Sequence, residues 1–269
     1  MKKIIFSFFK IVIILYVLLC SVLYFFQEKI IFLPTKLNPN FQFKFKQPFE
    51  ERNFITSDGK KLNGLLFKSV PSKGLVFYLH GNAGNLSSWG FAAETYTRLG
   101  YDVFILDYRG YGKSEGEIKN QQQLFDDATL VYQIIKQEYD ENRIVITGYS
   151  IGSGIASYLA ATNHPKMLIL QAPYYNLVDM MQQKMPFVPT FILKYKLENN
   201  RYLKSCHCPI YLFHGKEDTI IPFQSSQKLQ KECNRVSQLI LLDDLGHNGM
   251  NENSMYQSEI EKILNDRRI

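Results

Sequence analysis

Short apolar runs alternating with segments of helical periodicity constrain the fold of this chain more than any other feature. Six runs are nearly all aliphatic or aromatic, which is typical of strands buried on both faces of a parallel sheet. They are Leu75–Leu79, Val103–Leu106, Ile144–Thr147, Met167–Leu170, Ile210–Phe213 and Leu239–Leu242. Helical patterns lie near Ser87–Leu99, Gln121–Glu138, Ile151–Thr162, Phe223–Cys233 and Asn253–Asn265. This alternation predicts an α/β domain with helices on both faces of the sheet.

Two further strands are predicted before the first of these runs. Glu50–Thr56 and Leu62–Lys68 are joined at Ser57-Asp58-Gly59, and an Asp-Gly pair between two strand patterns favours a hairpin. The chain has 269 residues, of which 46% are hydrophobic, so it can bury a full core. We therefore expect one domain over residues 49–269, with about eight mostly parallel strands.

The first 29 residues form a separate segment. Residues 4–26 are apolar and aromatic with one charge, Lys10, and a helix of this length spans the hydrocarbon core of a bilayer. The run is longer than the apolar part of a cleavable signal and ends in Leu23-Tyr24-Phe25-Phe26 rather than in small residues. An uncleaved anchor is favoured over a cleaved signal or a lipoprotein modified at Cys20.

The charges around this segment predict its orientation. Lys2, Lys3 and Lys10 precede or begin the span, whereas Lys29 beyond it is offset by Glu28. The positive-inside rule then keeps the amino terminus in the cytoplasm and places residues 30–269 on the extracytoplasmic side. Residues 30–48, with Pro34 and Pro48, are predicted to be an irregular tether.

Charge and cysteine content exclude several classes of partner. The net charge of +6 is partly due to the anchor, and no basic run alternates with aromatic residues, so nucleic-acid binding is not expected. Cys206, Cys208 and Cys233 lack a second His or Cys cluster that would complete a zinc site. Semi-buried thiols are favoured, and a bridge from Cys233 to Cys206 or Cys208 is the alternative. We expect no metal and no cofactor.

Gly148-Tyr149-Ser150-Ile151-Gly152 is the strongest local motif. It follows the apolar run Ile144-Val145-Ile146 and precedes a pattern of small residues typical of a helix. A serine on a sharp strand-to-helix turn needs flanking glycines, because the turn crowds any side chain two positions away. The motif therefore predicts a nucleophile elbow, with the hydroxyl of Ser150 projecting above the edge of the sheet.

An acid and a histidine follow two later strands, in the chain order Ser, acid, His, which is one of three orders known for this triad geometry. Asp218 lies in the loop after Ile210–Phe213, and His247 lies in the loop after Leu239–Leu242. Chemistry in a parallel sheet gathers at the carboxyl ends of its strands, so these side chains should meet Ser150. We expect His247 to take the proton of Ser150, and Asp218 to orient and stabilise the imidazole.

The developing oxyanion needs hydrogen-bond donors that are already aimed at it. The N–H of Ile151, at the start of the helix, is the first candidate. The second is the N–H of Asn82, in the glycine-rich turn His80-Gly81-Asn82-Ala83-Gly84-Asn85 after Leu79.

Other residues compete for these roles. Asp243 and Asp244 are rivals of Asp218, and His80 and His214 are rivals of His247, since each follows a strand directly or closely. His80 is expected to hold the oxyanion turn, and His214 to pack beneath the Asp218 loop. Ser150 itself also has a purely structural interpretation, as a serine that caps the following helix.

Five motifs within residues 75–265 carry a resemblance to a known family. They are His80–Asn85, Asp107–Ser114, Gly148–Gly152, Gly215–Asp218 and Gly246-His247. Together they resemble the α/β-hydrolase superfamily. The anchor followed by Gln27–Pro34 resembles a subgroup of small membrane-anchored hydrolases, related to eukaryotic enzymes some of which remove fatty acyl groups from protein cysteines. The resemblance implies the α/β-hydrolase fold, a serine ester or thioester hydrolase with Ser150, Asp218 and His247 as triad, and no cofactor.

Residues 172–206 are longer than a plain crossover between two strands requires. They are rich in methionine and aromatic residues, interrupted by Pro186 and Pro189. This composition predicts a short cap over Ser150, and Met181, Phe187 and Phe191 are the candidates for lining an acyl-chain groove. The alternative is a helix that simply packs on the sheet.

Two classes of function remain open from the sequence. The favoured class is an enzyme that transfers an acyl group from an ester or thioester to Ser150 and then to water, with a serine peptidase or amidase as the alternative reaction. The other class is a non-catalytic hydrolase fold that serves as a membrane-tethered binding module. Neither the substrate nor the oligomeric state follows from the sequence.

Overall fold

An eight-stranded sheet forms the centre of the structure, a computed structural model that describes residues 2–233 and 236–266. Its strands are β1 (Phe49–Ile55), β2 (Lys61–Phe67), β3 (Leu75–Leu79), β4 (Asp102–Asp107), β5 (Ile144–Tyr149), β6 (Met167–Gln171), β7 (Ile210–Gly215) and β8 (Val236–Leu242). They lie in the order β8-β7-β6-β5-β3-β4-β2-β1. Only β2 is antiparallel to its neighbours, β1 and β4, in this sheet. The predicted α/β-hydrolase fold is confirmed. The predicted strands match the observed ones to within two residues, except that β8 begins at Val236, three residues before the predicted start at Leu239.

The helices also follow the predicted pattern. They are α1 (Lys2–Ile31), α2 (Leu86–Trp89), α3 (Ala93–Thr97), α4 (Gln121–Ile135), α5 (Gly152–Thr162), α6 (Leu177–Lys184), α7 (Asn199–Ser205), α8 (Gln224–Glu232) and α9 (Ser254–Asn265). Asparagine side chains cap the amino ends of four of them by accepting a backbone N–H, namely Asn85, Asn120, Asn176 and Asn253. Such caps satisfy donors that a helix leaves unpaired at its first turn.

Both faces of the sheet are covered, as the run of β3 shows. Phe77 packs against Tyr132 of α4 with ring centroids 5.3 Å apart, on the face that α5 also covers. Tyr78, the next residue, points to the other face, where it meets Tyr96 of α3. There the hydroxyls of Tyr96 and Tyr256 lie 2.7 Å apart and join α3 to α9. Successive strand residues therefore serve two separate cores, as continuous apolar runs predict.

The amino-terminal segment combines a long apolar helix with a segment that packs on the domain. Helix α1 has 30 residues and contains an 18-residue stretch with a mean hydropathy of 2.6. It is the one helix in the described part of the chain that is long and apolar enough to cross a membrane. Beyond it, Leu33–Pro34 pair with Ala83–Gly84, and Lys36 bridges to Gly112. The predicted tether, residues 30–48, thus lies against the domain, and the ring of Phe43 is buried there.

The cysteines of the domain are buried as thiols, in agreement with the favoured interpretation of the sequence. Cys233 donates from Sγ to the carbonyl of Leu203, at 3.2 Å. Burial raises the pKa of the Cys208 thiol to about 11. The alternative, a bridge from Cys233 to Cys206 or Cys208, is not formed.

A buried arginine links the β1–β2 hairpin to the body of the domain. Arg109 follows β4 and is 4% exposed. Its guanidinium donates from Nη1 and Nη2 to the two carboxylate oxygens of Asp58, at 2.8 and 2.7 Å, and from Nη2 to Asp127 of α4, at 2.9 Å. Asp58 stands in the hairpin turn, where Gly59 has a φ of +74°. The turn after β4 is therefore a structural support that joins the hairpin to α4.

Replacing this arginine should destabilise the fold. Arg109→Met leaves the buried carboxylate of Asp127 without its partner, and we expect it to lower the free energy of unfolding by about 3 kcal/mol or more. Thermal unfolding of the full chain in detergent measures the effect. The control is Lys262→Met, which removes an exposed ion pair with Glu259 and should cost less than about 1 kcal/mol. Equal melting temperatures for the two variants would contradict the expectation.

Candidate active site

The turn between β5 and α5 has the geometry that the glycine motif predicts. Ser150 has a φ of +51°, a left-handed conformation that a residue with a Cβ rarely adopts. A Cβ on Gly152 would lie 2.2 Å from the carbonyl oxygen of Leu79, and one on Gly148 would lie 2.6 Å from Cβ of Ala156. Only glycine fits at either position, so the backbone of the elbow can pack directly against the end of β3.

The structure joins the three predicted triad residues by hydrogen bonds. Nε2 of His247 lies 3.0 Å from Oγ of Ser150. Nδ1 of the same imidazole lies 2.7 Å from Oδ2 of Asp218. The three side chains come from the ends of β5, β7 and β8, and they form the nucleophile–base–acid series that acyl transfer to a serine requires.

Asp218 is held in its ionised form. Its Oδ1 accepts hydrogen bonds from the N–H groups of Ile220 and Ile221, at 2.9 and 2.8 Å. Its Oδ2 lies 3.3 Å from Nε2 of His214 in addition to the contact with His247. Burial raises the pKa of Asp218, but the hydrogen bonds from His214 and His247 and from the backbone outweigh burial and bring the pKa well below its usual range.

The rival acids and one rival histidine lie elsewhere. Asp243 is exposed and pairs with Lys216, and Asp244 is exposed in a turn with a φ of +53°. His214 is buried, with Nδ1 at 2.7 Å from Oγ of Ser226 and Nε2 at 2.8 Å from the carbonyl of Ile221. It therefore packs beneath the Asp218 loop, where the sequence places it.

His80 supports the turn after β3 rather than Ser150. Its Nδ1 lies 2.7 Å from the carbonyl of Gly81, and its Nε2 lies 3.2 Å from Oδ1 of Asp107. The hydroxyl of Tyr108 donates to its carbonyl, at 2.8 Å. Burial raises the pKa of Asp107, and the contact with His80 opposes that shift without cancelling it.

The two predicted oxyanion donors lie on backbone segments that touch. Close packing of Gly152 against Leu79 and His80 brings the start of α5 to the turn that contains Asn82. The carbonyl of Asn82 accepts hydrogen bonds from the N–H of Leu33 and the hydroxyl of Tyr111, at 2.8 and 2.6 Å. Within residues 2–233 and 236–266, no backbone hydrogen bond uses the N–H of Asn82 or of Ile151.

Tyr149 contacts the site in a way that the sequence analysis missed. Its hydroxyl donates to the carbonyl of His247, and its ring lies edge-on to that imidazole at 6.0 Å. Trp89 packs on the other side of the Tyr149 ring, at 5.3 Å. The tyrosine therefore helps to position the histidine loop from within the elbow itself. In the sequence, the position of Tyr149 beside Ser150 in the motif was the only indication that it contacts the site.

The cap segment, residues 172–206, places its three candidate side chains differently. Met181 on α6 is buried with Val188 and Ile192. Phe187 and Phe191 are 65% and 85% exposed. The chain turns at residues 186–188, after α6 has ended, and the two rings face outward from the cluster that holds Met181. Met181 alone of the three lines the cavity beneath the cap.

That cavity lies between the cap and α1. It has a volume of about 190 Å³, and its walls are mostly apolar. The cap contributes Met180, Met181 and Met185, and α1 contributes Leu23, Gln27 and Ile31. The sequence analysis treated α1 only as an anchor, so it missed this second wall.

The polar side chains of the described residues do not suggest a metal centre. Among residues 2–233 and 236–266, no group of three or more His, Cys, Asp or Glu side chains is arranged to hold a metal ion.

The chain is similar in sequence to a known protein family and to several known proteins. Residues 70–206, just over half of the chain, match the family described as serine aminopeptidase S33. The uncharacterized protein YfhR of Escherichia coli O157:H7 is 30% identical over 211 residues, which are 74% of this chain and 73% of YfhR. Lysophosphatidylserine lipase ABHD12 of Danio rerio is 30% identical over 177 residues, 58% of this chain. That match spans only 46% of the lipase.

Solved structures share the fold at lower sequence identity. The Pyrococcus furiosus esterase Pf2001 superposes with a TM-score of 0.69 at 20% identity, over 87% of this chain and 96% of the esterase. An α/β-hydrolase from Vibrio vulnificus superposes with a TM-score of 0.66 at 18% identity, over 80% of each chain. The sequence match over residues 70–206 and the shared architecture place the chain in the serine aminopeptidase S33 family of α/β-hydrolases.

Proposed function

We propose that the chain is a membrane-anchored serine hydrolase that cleaves carboxylic ester or thioester bonds through an acyl-enzyme on Ser150. The observation that carries the proposal is the hydrogen-bonded series Ser150, His247 and Asp218 at a strand-to-helix elbow. Nucleophile, base and acid are each held by a different strand end, which is the arrangement that activates a serine hydroxyl.

The first half of the reaction forms the acyl-enzyme. Oγ of Ser150 attacks the carbonyl carbon of the substrate while Nε2 of His247 takes its proton. Negative charge then develops on the carbonyl oxygen, and the N–H groups of Ile151 and Asn82 stabilise it. The imidazolium gives its proton to the departing alcohol or thiol as the bond to the carbonyl carbon breaks.

The second half returns the enzyme to its starting state. A water molecule gives its proton to His247 and attacks the ester on Ser150, and the same two N–H groups stabilise the second tetrahedral intermediate. When that intermediate collapses, the imidazolium protonates Oγ and the carboxylic acid leaves. Asp218 remains ionised throughout, because its hydrogen bonds hold its pKa well below the usual range.

The apolar cavity under the cap supports an acyl substrate. Methionines line it, and these unbranched side chains adapt to a flexible chain. One relative, the Danio rerio protein, is named a lysophosphatidylserine lipase, which is an ester hydrolase. The thioester part of the proposal has different support, the sequence resemblance to enzymes that remove fatty acyl groups from protein cysteines.

Helix α1 supports the membrane part of the proposal. An apolar helix of 30 residues is long enough to cross the hydrocarbon core, and its apolar side chains are exposed. Lys2, Lys3 and Lys10 at its amino end favour a cytoplasmic amino terminus, with the catalytic domain on the extracytoplasmic side.

One alternative reaction has an observation in its favour. The matching family is described as serine aminopeptidase, so hydrolysis of an amide beside a free amino group is the second candidate. A non-catalytic role as a membrane-tethered binding module is the third. An active-site probe and a substrate series separate the three.

A probe for activated serines tests whether the chain is an enzyme. We expect the full chain in detergent to be labelled by a fluorophosphonate, because His247 makes Ser150 nucleophilic. Ser150→Ala should abolish the labelling, whereas Ser258→Ala, a serine exposed on α9, should leave it unchanged. Labelling is read by gel fluorescence. An unlabelled parent, or an equally labelled Ser150→Ala variant, would falsify the catalytic proposal.

The pH profile should show one ionisation on the acid side. Since the pKa of Asp218 is lowered, this carboxylate stays charged between pH 8 and 5, and its contribution is lost only at still lower pH. We therefore expect Asp218 to add no ionisation to kcat/KM in that window, and any fall there to have a limiting slope of no more than one. Hydrolysis of p-nitrophenyl butyrate measures it. A slope of two would mean that a second group titrates.

Removing the acid should reduce turnover while the fold survives. Asp218→Asn leaves the imidazole without the carboxylate that sets its tautomer, and we expect kcat to fall by about 10⁴-fold. Asp244→Asn is the matched control, because Asp244 is exposed in a turn that asparagine also adopts. Near-normal turnover by Asp218→Asn would exclude it as the triad acid.

A comparison of leaving groups separates the ester hydrolase from the aminopeptidase. We expect a higher kcat/KM for an octanoyl p-nitrophenyl ester and an octanoyl thioester than for leucine p-nitroanilide, because the cavity is apolar and lined by methionines. All three are assayed with the full chain and with Ser150→Ala as blank. A preference for leucine p-nitroanilide would favour the aminopeptidase.

A further inference from the structure

The carboxyl-terminal third of α1 is fixed to the cap segment. Gln27 is buried, its Nε2 donates to the carbonyl of Ile192 at 3.1 Å, and its Oε1 accepts the N–H of Lys194 at 2.8 Å. The next residue, Glu28, reinforces this contact. It forms an ion pair with Nζ of Lys194 at 3.2 Å and accepts a hydrogen bond from the hydroxyl of Tyr195 at 3.3 Å. The helix and the cap therefore hold a defined position relative to each other.

The contact continues into the apolar part of the helix. The hydroxyl of Tyr16 donates to the carbonyl of Phe187, at 2.8 Å. Tyr16 lies about 16 Å along the axis from Gln27, at a rise of about 1.5 Å per residue. The cap thus follows α1 from its polar end to the middle of the stretch that spans the bilayer. The tip of the cap, residues 186–191, therefore lies at hydrocarbon depth.

The side chains and the backbone of the tip suit an apolar environment. Phe187 and Phe191 are exposed, on a segment that packs beside Tyr16, Val17 and Cys20 of α1. Irregular backbone in hydrocarbon is costly unless its polar groups are satisfied. Here two of the residues are prolines without an N–H, and the carbonyl of Phe187 is paired with Tyr16.

The cavity between α1 and the cap extends from this depth to residues that are hydrogen-bonded to the loops around Ser150. Leu23 lines its membrane end, and Ile31, about 12 Å further along the helix, lines its inner end. The carbonyl of Ile31 accepts Nδ2 of Asn82, at 3.3 Å, so the inner end adjoins the oxyanion turn. Lys184, also in the lining, donates to the carbonyl of Thr219 next to Asp218.

We propose that the acyl chain of a lipid ester in the surrounding leaflet enters the site sideways from the bilayer, through the apolar cavity between α1 and the cap. The membrane helix is then a wall of the substrate site as well as an anchor. This inference rests on the proposed ester hydrolysis and specifies its substrate, a long-chain ester that stays in the membrane while its carbonyl reaches Ser150. Short-chain esters that reach the site from water do not need this route.

Matched substitutions on α1 test the route. Leu23→Trp fills the membrane end of the cavity, whereas Val22→Trp places the same ring at the same depth on an exposed side of the helix. Both are assayed as full chains in nanodiscs, with a long-chain acyl ester embedded in the bilayer and with soluble p-nitrophenyl butyrate. We expect Leu23→Trp to lower kcat/KM for the embedded ester at least about tenfold, with butyrate within twofold, and Val22→Trp to change neither.

The possible results separate this inference from the proposed function. Unchanged turnover of the embedded ester by Leu23→Trp would overturn the lateral route, and so would an equal loss on both esters, which a structural defect produces. Equal losses in Leu23→Trp and Val22→Trp would also overturn it. A parent that cleaves neither ester would refute the proposed hydrolase, and the cap position would then be tested by a measurement that needs no activity.

Fluorescence supplies that measurement. The chain has one tryptophan, Trp89, so Trp89→Phe combined with Phe187→Trp reports from the cap tip alone. In nanodiscs whose lipids carry bromine on their acyl chains, we expect the emission of this variant to be strongly quenched, and that of the parent to be largely retained. Retained emission from residue 187 would place the tip in water and overturn the proposal.

Discussion

Contact of backbone with backbone at two glycines holds together the loops that carry the reacting side chains. At Gly152 a Cβ would lie 2.2 Å from the carbonyl oxygen of Leu79, and at Gly215 one would lie 2.2 Å from that of Leu245. The first contact joins the elbow to the oxyanion turn, and the second joins the end of β7 to the loop before His247. Distances near 3 Å between side chains from three strands depend on these approaches, which any larger residue would prevent.

Two buried carboxylates at strand ends show how hydrogen bonding decides ionisation. Burial raises the pKa of both Asp107 and Asp218. Asp107 has His80 and the N–H of Leu86 as partners, and its pKa stays raised. Asp218 has two histidines and two backbone N–H groups, and its pKa is lowered. The first suits a structural pair, and the second suits a carboxylate that must stay charged beside an imidazole.

The amino-terminal helix is integrated with the domain that follows it. Gln27 and Glu28 bind the cap, Leu33 pairs with the oxyanion turn, and Phe43 is buried beside β2. A movement of α1 would therefore change the positions of the cap and of Asn82. This coupling is the structural basis for treating the helix as part of the site.

Local sequence signals determined much of this protein. Apolar runs defined six of the eight strands, a turn between two strand patterns defined the other two, and the glycines around Ser150 defined the elbow. All of these signals depend on neighbours in the chain. The order of Ser150, Asp218 and His247 on successive strand ends predicted a contact that the parallel sheet brings about. Only the tertiary structure decided that Met181 faces the cavity while Phe187 and Phe191 face outward, that Tyr149 holds the His247 loop, and that α1 forms a wall. Those outcomes depend on contacts between segments about 100 or more residues apart, for which the sequence carries no periodicity or motif.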